Sequence, residues 1–211
     1  MKKILLILSL SLISPIIAEP VSYERITSFF IELEKKFPSL TNKTIEERRE
    51  WLHAELKPLR DDIANSSLEA IQASKHPTKG ITLLMFAIDF CDSKLITILL
   101  EKGVDINEED RLGRSCINCA IFIPYDFFEQ IVTLLLKHGA NINHIDGSGN
   151  TLAHDIATLI SHEKRQILHL PEDMQKKPED MQKKLKFLEA NGADFTIKNS
   201  YNMSVNDILN R

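Results

Sequence analysis

The sequence predicts an all-α fold, a solenoid of about three to four helix–turn–helix units behind an N-terminal helical cap. Three observations predict it. Only seven of 211 residues are glycine, and none precedes residue 80; glycine is costly inside helices and is kept for turns, so its scarcity favours helix. The string Gly-x-(Asp/Asn)-x-(Asn/Thr)-x-x-(Asp/Asn) recurs three times, beginning at Gly103, Gly139 and Gly192. Each of these glycines lies ten residues before the next turn position, Gly113, Gly149 and Asn202. A fixed recurrence of this kind is the mark of a repeat architecture. With 43% hydrophobic and 27% charged residues the chain has a globular balance. It carries no G-x-G-x-x-G or G-x-x-x-x-G-K-[ST] string, so the glycine-loop phosphate sites are excluded.

The first eighteen residues read as an export signal. Met1-Lys2-Lys3 is a basic start, Ile4 to Ile13 is apolar apart from two serines, and Ala18 supplies a small residue before Glu19. The apolar stretch to Ala18 contains Pro15 and falls short of the roughly 20 residues of a membrane span. A cleaved signal peptide of bacterial style is therefore expected over 1–18, with an uncleaved anchor as the alternative. Export would make the protein periplasmic or secreted. The remaining chain would hold 24 basic against 30 acidic residues, a net charge of −6. That balance argues against nucleic acid as the partner.

Residues 19–77 are expected to form the cap. Ile26, Phe29, Phe30, Leu33 and Phe37 share one helical face, which Pro38 ends. Thr44-x-x-Glu47 is a capping box leading to Ile45, Leu52 and Leu56, with Trp51 beside them and Pro58 as the expected stop. Ser66-x-x-Glu69 offers a third start, with Leu68 and Ile71 inward. Such a cap would cover the open end of a repeat array, whose apolar face is otherwise wet.

Residues 78–211 hold the repeats, divided as 78–110, 111–146, 147–199 and a partial 200–211. Gly103, Gly139 and Gly192 follow apolar helical endings and read as left-handed C′ caps. Asp110, Asp146 and Asn199 are set to bond the backbone amides of the turn that follows each. Thr82, Ser115, Thr151 and Ser204 are set to cap the next helices. All length variation lies between the paired helices of a unit: 13 residues from Ala87 to Leu100, 16 from Ala120 to Leu136 and 33 from Ile156 to Glu189. The last interval holds an insertion near 162–184 with Pro-Glu-Asp-Met-Gln-Lys-Lys twice, at 171–177 and 178–184. Proline with two acids behind it suits a helix start, and Met181, Leu185 and Leu188 continue the helical period.

Gly80-Ile-Thr-Leu-Leu-Met-Phe-Ala87, Gly113-Arg-Ser-Cys-Ile-Asn-Cys-Ala120 and Gly149-Asn-Thr-Leu-Ala-His-Asp-Ile156, each ending in the tail above, resemble the ankyrin repeat and its T-P-L-H-x-A signature. The resemblance covers roughly 78–211. Histidine survives only as His154, and the proline place is taken by Leu83, Cys116, Leu152 and Val205. The resemblance implies that His154 is a structural hydrogen-bonder between neighbouring fingers. It also implies a non-catalytic protein-binding scaffold whose inner helices and fingers form the concave recognition face. On those fingers Arg111, Arg114, His144, Ser148, Lys198 and Tyr201 need not fill core and are the expected contacts with another protein. No cofactor, metal or catalytic residue is implied.

The chemical alternative is Cys116-x-x-Cys119, a thiol-redox pair or half a metal site. The βαβ context of redox motifs is missing, and Cys91 is the only other cysteine. Both thiols fall in the first turn of an inner helix, where buried structural cysteines are the expectation. Asp146-Gly-Ser-Gly-Asn150 begins like a calcium loop, but Ala157 stands where the bidentate glutamate belongs. Phe122, Tyr125, Phe127 and Phe128 cluster at the longer helix connection of the second unit, either as core or as a partner contact.

Overall fold

The computed structural model describes residues 23–36, 45–76, 78–163 and 178–210. The signal-like segment, Phe37 with Pro38, Thr44 and the first heptad copy lie outside the described residues. Those described form helices and loops with no strands, only an isolated bridge between Lys75 and Thr82. The all-α architecture of paired helices agrees with the sequence pattern.

Helix α1 spans Tyr23–Lys36, α2 spans Ile45–Asn65 and α3 spans Leu68–Ala73. Pro58 does not end α2, as its ring suggested, but lies inside it. Leu56, Leu59 and Ile63, all buried, give the helix reason to continue on both sides of the proline. Arg60 Nη2 donates to His53 O at 2.8 Å, a side-chain donor in the turn that the proline weakens. The cap of α3 is Ser67, whose Oγ accepts from Ala70 N at 3.2 Å, and not Ser66. Ser66 instead donates its hydroxyl back to Asp62 O at 2.8 Å.

The first helix pair is α4 (Leu83–Asp89) with α5 (Ser93–Glu101). The second is α6 (Cys116–Cys119), prolonged by a 3-10 turn over Ala120–Phe122, with α7 (Tyr125–Lys137). The third is α8 (Leu152–Glu163) with α9 (Pro178–Ala190), and α10 (Val205–Leu209) follows. Within pairs, α4 packs on α5 and α8 on α9; between pairs, α4 packs on α6, the 3-10 turn on α8, α8 on α10, and α7 on α9. One continuous core results, in which Leu95, Ile96, Leu99, Ile117, Val132, Leu135, Ile156 and Leu188 are fully enclosed. Each such side chain is worth roughly 1.5–3 kcal/mol of transfer free energy.

The cap packs on the array through α2 against α5. Arg60 forms a buried ion pair with Asp92, and Asp92 Oδ1 also accepts from Leu95 N at 3.0 Å, capping α5. Lys102 Nζ donates to Ser66 O at 2.8 Å, a second tie. At the longer connection of the second pair, Phe128 is fully buried and meets Phe187 edge-on at 5.8 Å. α9 covers this region as intramolecular packing. Lys184, 1% exposed, sets its Nζ over the Phe128 ring and donates to Ile121 O at 3.0 Å and Ile123 O at 2.5 Å. These carbonyls end the 3-10 turn, and a lysine ammonium complements a helix C-terminus.

Candidate functional site

Three loops, here called fingers, join the units over 102–115, 138–151 and 191–204. Each opens at a glycine with positive φ, +78° at Gly103, +92° at Gly139 and +93° at Gly192. Each then folds on the same two braces. Asp105, Asn141 and Asp194 accept from the amide two residues on, at 2.9, 3.0 and 2.8 Å. Asp110 Oδ1 accepts from Leu112 N and Arg114 N at 2.8 and 3.0 Å. Asp146 Oδ1 accepts from Ser148 N and Asn150 N at 2.9 Å each. Asn199 Oδ1 accepts from Tyr201 N and Met203 N at 3.0 and 3.1 Å. Asx side chains hold turns this way because they imitate a backbone acceptor. Asn202 takes φ +58° where the other turns have glycine, a conformation asparagine tolerates.

The fingers are also fastened to one another. Asn107 donates Nδ2 to Gly139 O at 3.1 Å and accepts from Asn141 N at 3.1 Å. Asn143 repeats the move one unit on, to Gly192 O at 3.1 Å and from Asp194 N at 2.8 Å. Gly147 N donates to Leu112 O at 2.9 Å, and a Cβ at Gly147 would lie 2.6 Å from that oxygen. Gly147 therefore serves close approach of two fingers.

His154 is fully buried. Thr151 N donates to its Nδ1 at 3.2 Å, so Nδ1 is an acceptor. Nε2 is left as the donor, and it meets Ile197 O at 3.0 Å and Met203 O at 3.1 Å. One imidazole thus ties the third inner helix to the third finger.

Residues 79–108 match the family model described as an ankyrin repeat. This segment is an ankyrin repeat. It covers α4, α5 and the first half of the finger that follows. No curated protein matches the chain.

The six expected contact residues, all beyond the matched segment, divide in two. Arg114 and His144 are committed internally: Arg114 donates Nε and Nη2 to Asp110 Oδ2 at 2.9 and 2.6 Å, and His144 Nε2 meets Gly113 O at 2.9 Å. Both brace the first finger. Arg111, Ser148, Lys198 and Tyr201 are exposed, Tyr201 to 78%. Leu112 at 63% and Ile145 at 49% are exposed apolar finger residues that sequence reasoning missed. A signal was present. Leu112 immediately precedes a left-handed turn residue, as Ser148 and Tyr201 do, and a side chain there points away from the turn.

Two carboxyls near the inner helices are perturbed. Desolvation, then repulsion from Asp146, pushes the Asp155 carboxyl up to about 6, against an Asn150 hydrogen bond and Arg114 that pull it down. Asp89 retains exposed surface, yet protein crowds its carboxyl, and desolvation pushes it likewise to about 6, opposed by Arg114. The cysteines are unsuited to thiolate chemistry. Cys116 and Cys119 are buried, desolvation pushes Cys116 up to about 12 and Cys119 higher, and Cys116 Sγ donates to Ile106 O at 3.0 Å. Among the described residues no group of three or more His, Cys, Asp or Glu could hold a metal ion, and no helix is long and apolar enough to cross a membrane.

Proposed function

We propose that the protein is a non-catalytic scaffold that binds another protein through its fingertips and inner helices. Ankyrin repeats generally bind proteins, and family membership alone never names the partner. The observation that carries the reading is that each of the three fingers leaves a large apolar or aromatic side chain exposed, Leu112, Ile145 and Tyr201, on loops braced by side-chain-to-backbone bonds. Large apolar side chains left in solvent on successive loops support a contact surface there. Bracing lowers the ordering entropy lost on binding. Arg111, Ser148 and Lys198, exposed on the same fingers, supply polar contacts. The basic start and apolar run at 1–18 support export, and so a partner met in the periplasm or outside the cell.

The test is affinity capture from the native compartment, comparing the protein with a Leu112→Ser, Ile145→Ser, Tyr201→Ala variant of unchanged circular dichroism. The reading expects a protein retained by the parent and lost with the variant. Equal retention by both would overturn the fingertip assignment. A redox or metal role for Cys116 and Cys119 gains no support from buried thiols with raised pKa values.

A further inference from the structure

A polar chain runs from the third inner helix to the tip of the third finger. Asn150 Nδ2 donates to Asp155 Oδ1 at 3.0 Å. Asn199 Nδ2 donates to Asn150 Oδ1 at 3.0 Å. Asn199 Oδ1 in turn holds the amides of Tyr201 and Met203. In the second unit the corresponding residues are Arg114, which closes on its own Asp110, and Cys119, whose thiol is buried. Among the described residues the second unit thus has no carboxyl joined by amide side chains to the finger that follows, as Asp155 is in the third.

We propose that Asp155 is a proton-controlled brace, its acid form holding the third fingertip closed and its ionised form loosening it. The charges around Asp155 set this direction. Asp146, on the second finger, is a like charge that acts on it, while Arg114 offers a countercharge that is already shared with Asp110. From α9, Lys184 is turned to the carbonyls of Ile121 and Ile123, and from α10, Asp207 is engaged by the Ser204 amide and hydroxyl. As an acid, Asp155 still accepts from Asn150 through its carbonyl oxygen and carries no charge. As a carboxylate it is stabilised by any opening of the Asn150–Asn199 seam that admits water.

The sign follows from proton linkage. The carboxyl titrates at about 6 in the closed fold, above its ordinary 3.8, so the closed state binds the proton more tightly. Closure is therefore firmest below pH 4, weakens as pH rises from about 4 to 6, and is level above that. Full resolvation on opening would give roughly a hundredfold change; partial exposure reduces the expectation to about tenfold. The bearing of this brace on partner binding rests on the fingertip reading above, but the brace can be tested with no partner present.

Hydrogen exchange of the Tyr201 and Met203 amides, as protection factors from pH 4 to 7, is the test. Protection is expected to fall about tenfold across that range and to stay high and flat in Asp155→Asn. Flat protection in the parent, or an equal fall in Asp155→Asn, overturns the proposal. A carbon-13 titration of the parent needs no variant: an Asp155 carboxyl titrating near 6 is expected, and one titrating near 4 overturns the brace. Neither result depends on whether the fingertips bind a protein.

Discussion

The second and third inner helices use the same positions for opposite ends. In the third, His154 and Asn150 reach across to the following finger. In the second, Asn118 bends back, its Oδ1 accepting from the Ser115 amide and hydroxyl at 3.0 and 3.2 Å, and its buried Nδ2 has no hydrogen-bond partner. Arg114 likewise closes on its own turn. Asparagine is shorter than histidine, and from the same place it satisfies its own cap but does not reach the next unit. One helix position can therefore fasten a finger to itself or to its neighbour, and side-chain length decides which. The seam between the first and second fingers relies on apolar burial, the Asn107 clasp and the bonds of Gly147 N to Leu112 O and His144 Nε2 to Gly113 O, whereas the third finger is held by the Asn143 clasp, an imidazole and an amide chain.

The comparison can be broken most severely at His154. His154→Ala removes a fully buried ring and leaves Ile197 O and Met203 O without that donor, so unfolding free energy is expected to fall by about 3 kcal/mol in denaturant titration. A loss under 1 kcal/mol would mean that the imidazole is not the fastening it resembles. Asp155→Asn acts in the other direction. Its raised pKa means that the fold gains stability as pH falls from about 6 to 4, the reverse of an ordinary paired carboxylate. Discounted for partial exposure, the variant is expected to be more stable by about 1 kcal/mol at pH 7 and equal to the parent near pH 4. Thermal melts at the two pH values check it. The smallest effect is expected of Asn118→His. It would lengthen the reach of the second inner helix and remove an unsatisfied buried amide, raising stability by about 0.5–1 kcal/mol. An unchanged or lower melting temperature would show that the second seam has no room for the longer side chain.

Much of this was legible in the residues. The glycine spacing gave the register of the fingers, the Asx residues three places before each turn gave their braces, and His154 gave the cross-unit bond. What escaped was decided by tertiary neighbours. Pro58 looked like a stop, and only the burial of Leu56, Leu59 and Ile63 on both sides of it keeps α2 intact. Ser66 and Ser67 are adjacent, and a one-residue choice of cap is settled by geometry that spacing does not carry. Lys184 ends the second heptad copy with nothing in that repeat to mark it as buried, although Met181, Leu185 and Leu188 already set the inward face to which it belongs. Arg114 and His144 are polar residues on fingers, and polarity does not say that the first closes on its own turn and the second on the neighbouring finger. Asn107 and Asn143 recur at one place after Gly103 and Gly139, a repetition that was visible but whose role needed the neighbouring finger.

The claim that the fingertips are the recognition face is tested most directly by site-specific photocrosslinking. A photoreactive phenylalanine analogue is placed at position 201 on the third fingertip or at position 186 on the exposed face of α9, and each protein is irradiated in the native compartment. The account predicts a discrete partner adduct from position 201 and none from position 186. Adducts from position 186 with none from 201 would contradict it.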